Sequence, residues 1–131
     1  LGGSIAPANG AEGMGWSISV PTRQLDAAVE LLADVVQSPT FPEAAVETER
    51  AVALDDLASM RDDMYRWPMR LAVTTAFAGH PYGVPSTGTE ETLARITAAD
   101  LRDWHARQVL SGDMVIGVVG DVDEAEAAAL V

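Results

Sequence analysis

The stretch "DAAVELLADVVQSPTFPEAAVETERAVALDDL", residues 26–57, decides the fold. With Leu25 just ahead of it, Ala28, Val29, Leu32, Val35 and Val36 recur at three- and four-residue steps, which is one buried stripe of a helix. Thr22 is placed to cap that helix and Pro39 to stop it. After the break, Thr40 can act as N-cap with Pro42 in the first turn of a second, longer helix, running from about 43 to 64. Its apolar face is Val46, Ala53, Leu57, Met60 and Met64. Two one-sided helices joined by a short proline turn must bury their stripes against another layer.

Working outward, "GSIAP" and "GWSISV" are short runs on either side of "ANGAEG". Trp16, Ile18 and Val20 alternate with Ser17 and Ser19, the period of a half-buried strand. The two runs either form a hairpin around Asn9-Gly10 or lie side by side. Downstream, Pro68 opens a third helix that ends near Gly79, and "HPYGVPSTG" reads as a loop. Thr89, with Thr92 three residues on, caps a short helix. Thr97 and Asp100 make an approximate capping box for another, whose buried side is Leu101, Trp104 and Val109. "DMVIGVVGDVD", residues 113–123, is β-branched and bounded by glycines, so it is expected to be a buried strand, with a last helix starting near Asp123. The class expected is α+β in a single domain, 1–131, with helices packed on one side of a mostly antiparallel sheet. The opening "LGGSIAPANG" and the closing "EAEAAALV" read like mid-fold segments, so the chain is expected to be part of a longer protein.

Composition narrows the chemistry. The net charge of the 131 residues is −12, and all eight basic residues are arginine, which argues against nucleic acid or an anionic membrane as partner. No cysteine is present, so disulfides and thiolate metal sites are excluded. Without lysine there is no P-loop, and no Gly-x-Ser-x-Gly elbow occurs. No apolar run approaches the roughly 18 residues of a spanning helix.

The candidate chemistry lies on the second helix. Glu49 and Asp56 are seven residues apart, so they differ by only about 20° around the axis, and Asp63 continues the series. The stripe borders the apolar face, about 50° away. A carboxylate there is partly desolvated, which raises its pKa unless a cation stands near. Either an arginine such as Arg50 or a metal can be that cation, and a plain helix flank with an internal ion pair is the simpler reading. Of the two histidines, His80 in "GHPYG" is either a ligand or the residue that orders its turn, and His105 in "DWHARQ" is expected on a helix surface. No His-x-x-x-His pair exists.

Taken together, "LGGSIAPANG", the 26–57 helix pair, "AGHPYGVPSTGTEETLARITAADLRDWHARQ" and "MVIGVVGDVDEAEAAAL" resemble, in order and spacing, the insulinase-like zinc peptidases. These are also called pitrilysin-like or mitochondrial-processing-peptidase-like, peptidase family M16. The resemblance covers essentially the whole chain. It implies a protein of two homologous halves, built from α+β domains, that close on a substrate chamber. The active half carries His-x-x-Glu-His and, far downstream, a helix with Glu-Arg-x-Val-x-x-x-Glu whose last residue is the third zinc ligand. An assisting glutamate lies seven residues before that ligand.

This chain matches that helix at Glu49, Arg50 and Val52, but has Asp56 at the ligand position. Aspartate binds zinc, but from one methylene shorter. "SIAPANGAEG" also lacks the asparagine-alanine pair usual after the double glycine of the active half. The resemblance therefore implies the first domain of the non-catalytic companion half of a bacterial enzyme, with Glu49 and Asp56 as remnants of a zinc site. Zinc would belong to the parent enzyme and none to this segment. The partners implied are a peptide substrate and the other half or subunit. The arginine and tyrosine by which a companion half helps bind substrate would lie beyond Val131. Three alternatives stand beside this: the catalytic half with Asp56 as third zinc ligand, a catalytically dead core-subunit-like structural protein, and a plain α+β binding module.

Overall fold

The computed structural model of the chain describes residues 2–10 and 12–130. The order is β1 (Ser4–Asn9), β2 (Met14–Ser19), α1 (Leu25–Gln37), α2 (Glu43–Asp62), α3 (Arg66–Ala76), α4 (Glu90–Leu93), α5 (Ala98–Gln108) and α6 (Glu124–Ala129). Short 3-10 turns cover Thr22–Gln24 and Pro81–Gly83. The class is mixed α+β: among the described residues there are helices and one two-stranded antiparallel sheet. No described helix is long and apolar enough to cross a membrane. The chain divides into two compact units, residues 1–40 with 103–131, and residues 41–102.

In the first unit the two N-terminal runs form a hairpin, with Ile5 opposite Ile18 and Pro7 opposite Trp16. The Gly10 amide closes the turn on the Gly13 carbonyl at 2.9 Å. Trp16, Ile18 and Val20 are half-buried while Ser17 and Ser19 are exposed, as the alternation requires. Helix α1 packs on β2 and buries Ala28 and Val36, with Leu25, Val29, Leu32 and Val35 half-buried along the same stripe. Thr22 does not cap α1: it lies in the 3-10 turn, and the N-cap of α1 is Gln24, which makes no side-chain cap bond. At the far end, Asp123 caps α6, its Oδ1 accepting from the amides of Ala125 and Glu126.

The expected strand at 113–123 does not form. Residues 114–119 are neither helix nor strand, and Val115 and Val119 are 96% and 101% exposed. A β-branched run supplies propensity but no ladder partner, and the described strands pair only with each other. His105 is also corrected, from helix surface to interior: it is 7% exposed. Its neighbour Trp104, expected inside, is 43% exposed.

In the second unit α2 packs on α3 and α4, burying Leu57 and Met60. Helix α2 ends two residues short of expectation, so Met64 falls in the following turn and is 76% exposed. The N-cap is Pro42 and no side chain caps it, so the expected Thr40 cap is not made. The preceding Phe41 sits at φ 42°, uncommon for a residue with a Cβ, and its carbonyl accepts from Arg102 Nη2 at 2.9 Å. Helix α4 starts with the Thr89–Thr92 capping box. At α5 Asp100 Oδ2 accepts from the Thr97 amide (2.8 Å) and hydroxyl (2.6 Å), while the Asp100 amide donates back to Thr97 Oγ1.

Candidate functional site

Glu49 and Asp56 both lie on the unbroken α2, both exposed, and about 10 Å apart along the axis. Asp63 is one residue past the helix, where the backbone has turned to φ −82° and ψ 117°. Its Oδ1 accepts from the amides of Tyr65 and Arg66, each at 2.8 Å. That pair of bonds turns the chain from α2 into α3 and gives an acceptor to two of the orphan N–H donors at the start of α3. Pro68, lacking an N–H, falls within the first turn of α3.

The turn returns Arg66 to the flank of α2. A single guanidinium nitrogen, Nη2, straddles the Asp56 carboxylate, donating to Oδ1 at 3.0 Å and Oδ2 at 2.8 Å. The cation of the stripe is therefore Arg66. Arg50 pairs instead with Glu47 and donates to the Ile96 carbonyl. Its Nε is buried without a partner among the described residues.

Two opposed effects act on Asp56. The hydrogen bond and charge of Arg66 lower its pKa and desolvation raises it; the hydrogen bond dominates, so the carboxyl lies below the usual range. Asp63 is lowered by the Arg66 and Tyr65 amides, and Asp100 by the Thr97 hydroxyl and amide. A carboxyl with a depressed folded pKa stabilises the fold fully above its unfolded value, about 4, and loses that contribution as pH falls through the folded value. The expected result is that Asp56→Asn is less stable than the native chain near pH 6, and that this difference shrinks steadily below about pH 4. Urea midpoints measured across that range check it.

Zinc requires three protein ligands in one place, and the residues present do not fit it. Among the described residues no group of three or more histidine, aspartate or glutamate side chains is gathered closely enough to hold a metal. Both oxygens of Asp56 are engaged by Arg66. His80 turns into its own loop: Nδ1 accepts from the Tyr82 amide at 3.2 Å, and the ring meets Tyr82 edge-on at 4.8 Å. His105 Nε2 is bonded to the Val36 carbonyl at 2.7 Å. An open cleft lined by Thr74, Phe77, His80, Pro81 and Val84 includes none of the acidic stripe.

Two residues of this region are not legible in the helical wheel of α2. Arg66 is ten residues beyond Asp56, across a turn; the signal is Asp63 two and three residues ahead of the amides it accepts. Arg70, one turn further, donates to Thr87 Oγ1 and the Gly88 carbonyl, both at 2.7 Å, and fixes the loop before α4.

Comparison with known proteins agrees with the sequence pattern. Residues 1–90 match the insulinase family, peptidase family M16. The chain is 33% identical to an uncharacterized zinc protease of Mycobacterium leprae over 131 residues, covering 100% of this chain and 29% of that protein. It is 34% identical to an uncharacterized zinc protease of Mycobacterium tuberculosis over 107 residues, 82% of this chain and 24% of the relative. It is 31% identical over 112 residues to subunit 1 of the mitochondrial cytochrome b-c1 complex of Bos taurus, 82% of this chain and 22% of that subunit. The chain thus spans less than a third of the length of each of these relatives. On the match over residues 1–90, this chain belongs to the insulinase family of peptidases, family M16.

Proposed function

We propose that the chain is the first α+β domain of the non-catalytic companion half of an insulinase-like zinc metallopeptidase. In this reading it walls the substrate chamber and binds peptide, and the other half or subunit is its partner. Zinc belongs to that other half. One observation carries the reading: the carboxylate at the third-ligand position, Asp56, holds an arginine with both oxygens. Glu49, the assisting position, is exposed on the same helix without an ion pair among the described residues. The likeness to zinc proteases supports the metallopeptidase class for the parent. For peptide capture, each strand of the β1–β2 hairpin has one edge without a strand partner among the described residues. Main-chain pairing at such an edge needs no particular side chain.

The likeness to subunit 1 of the cytochrome b-c1 complex favours a second reading, a structural subunit without peptidase activity. The catalytic half with Asp56 as third ligand is the reading that the Arg66 bridge weighs against.

The test uses the full-length parent protein and a quenched peptide. The companion reading expects hydrolysis, with Glu49→Gln and Asp56→Asn each changing the rate by less than about twofold, as exposed substitutions remote from chemistry do. A loss on the order of 100-fold, which even the outer partners of a metal ligand can produce, would return Asp56 to the catalytic half. No hydrolysis by a parent co-purified with its partner would favour the structural subunit. The isolated chain is expected to cut no peptide.

A further inference from the structure

We infer that two members of the acidic stripe form an arginine clasp: Asp56 and Asp63 together hold Arg66, one by its side chain and one by its backbone, and so set the elbow between α2 and α3. The inference concerns the fold of residues 41–102 and stands whichever half of a peptidase the chain comes from.

Four hydrogen bonds define the clasp. Asp63 Oδ1 accepts the Arg66 amide at 2.8 Å. The same oxygen accepts the Tyr65 amide at 2.8 Å, which fixes the turn ahead of Arg66. Asp56 receives the Arg66 guanidinium at 3.0 and 2.8 Å. Members of the stripe one heptad apart thus serve one residue, which explains their spacing without a metal. The second carboxylate is beyond the helix, so it can bond amides that a mid-helix acid cannot reach.

Neighbouring bonds extend the clasp. Arg61 pairs with Glu90 of α4 at 3.0 Å and lies over the Trp67 ring at 5.8 Å. Arg70 ties α3 to Thr87 and Gly88. Arginine stays charged at every accessible pH and needs no loading, so the elbow is set by the chain alone. Glu49, about two turns away, takes no part.

The clasp makes its members interdependent, which a set of unrelated surface charges would not be. Amide exchange of the chain by NMR reads this at Tyr65, Arg66 and the first turn of α3. Asp56→Asn and Arg66→Gln are each expected to raise exchange there by about threefold, the scale of a surface ion pair. The double variant is expected to add nothing further. Asp63→Ala, which removes two bonds at once, is expected to exceed either; Asp63→Asn, which keeps an acceptor oxygen, restores most of the protection. Far-UV circular dichroism establishes that each variant is folded. Additive effects of Asp56→Asn and Arg66→Gln would overturn the clasp. In a second arm, zinc chloride is titrated against the dialysed chain in competition with a coloured chelator. The native chain is expected to take up none stoichiometrically, and stoichiometric uptake lost in Asp56→Asn would also overturn the inference.

Discussion

Leu57→Ala is expected to destabilise residues 41–102 by about 2–5 kcal/mol, the cost of removing a buried leucine and leaving part of its volume empty. Leu57 is 5% exposed and Met60 6%. With Ala98, they are the buried apolar residues among those described in this unit. A core this small has few neighbours free to close a cavity. The control is Val52→Ala on the same helix: Val52 is 58% exposed, so its loss should stay within about 0.5 kcal/mol. Urea unfolding measures both, and a lowered midpoint at unchanged slope would identify the change as one of stability. A Leu57→Ala chain within 1 kcal/mol of native, on the scale of an ordinary surface change, would mean that α2 does not pack by this face. The result bears on the site as well. Leu57 and Met60 fix the rotation of α2 about its own axis, and that rotation holds Asp56 on the flank where Arg66 reaches it.

What the sequence foretells divides largely by range, the expected Thr22 and Thr40 caps being local readings that the structure does not contain. The alternation at Trp16, Ile18 and Val20, the α1 stripe and the caps at Thr89, Thr97 and Asp123 are all written within about a dozen residues, and the structure contains each. The stop of α2 is nearly legible too, since Asp63 begins an Asx turn that ends the helix. Distant partners are not legible in this way. A β-branched run at 113–123 states a preference for strand, yet a strand exists only where another strand accepts its bonds. The helix wheel places Glu49 and Asp56 on one flank, and leaves the neighbouring cation open between an arginine such as Arg50 and a metal. Arg50 is drawn away by Glu47 three residues before it and by a carbonyl 46 residues on. Arg66 wins Asp56 because the turn at Asp63 reverses the chain. The family resemblance offers Asp56 as a ligand position; only the folded elbow shows that its carboxylate is bonded to Arg66.

His105→Leu is expected to cost about 2–4 kcal/mol, although leucine is the more apolar residue. The reason lies at the end of α1. The last four carbonyls of a helix have no partner within it. The Ser38 amide answers that of Asp34 at 3.0 Å. Val36 is buried, and its carbonyl accepts from the His105 ring at 2.7 Å, across 69 residues of sequence. A carbonyl only accepts, so Nε2 must carry the proton, and the tautomer is set. A donor with partial positive charge at this end also suits the helix dipole. Leucine would fill the space yet leave the carbonyl buried and unanswered, which costs about 1–3 kcal/mol by itself. His105→Gln keeps a donor at similar reach and should recover about 1 kcal/mol. Urea unfolding of the two variants separates the explanations. If leucine matches the native chain, the histidine is there for its volume. If glutamine outperforms leucine, the hydrogen bond is the cause, and the ring nitrogen of a histidine that the sequence places on a helix surface is committed to the last turn of α1.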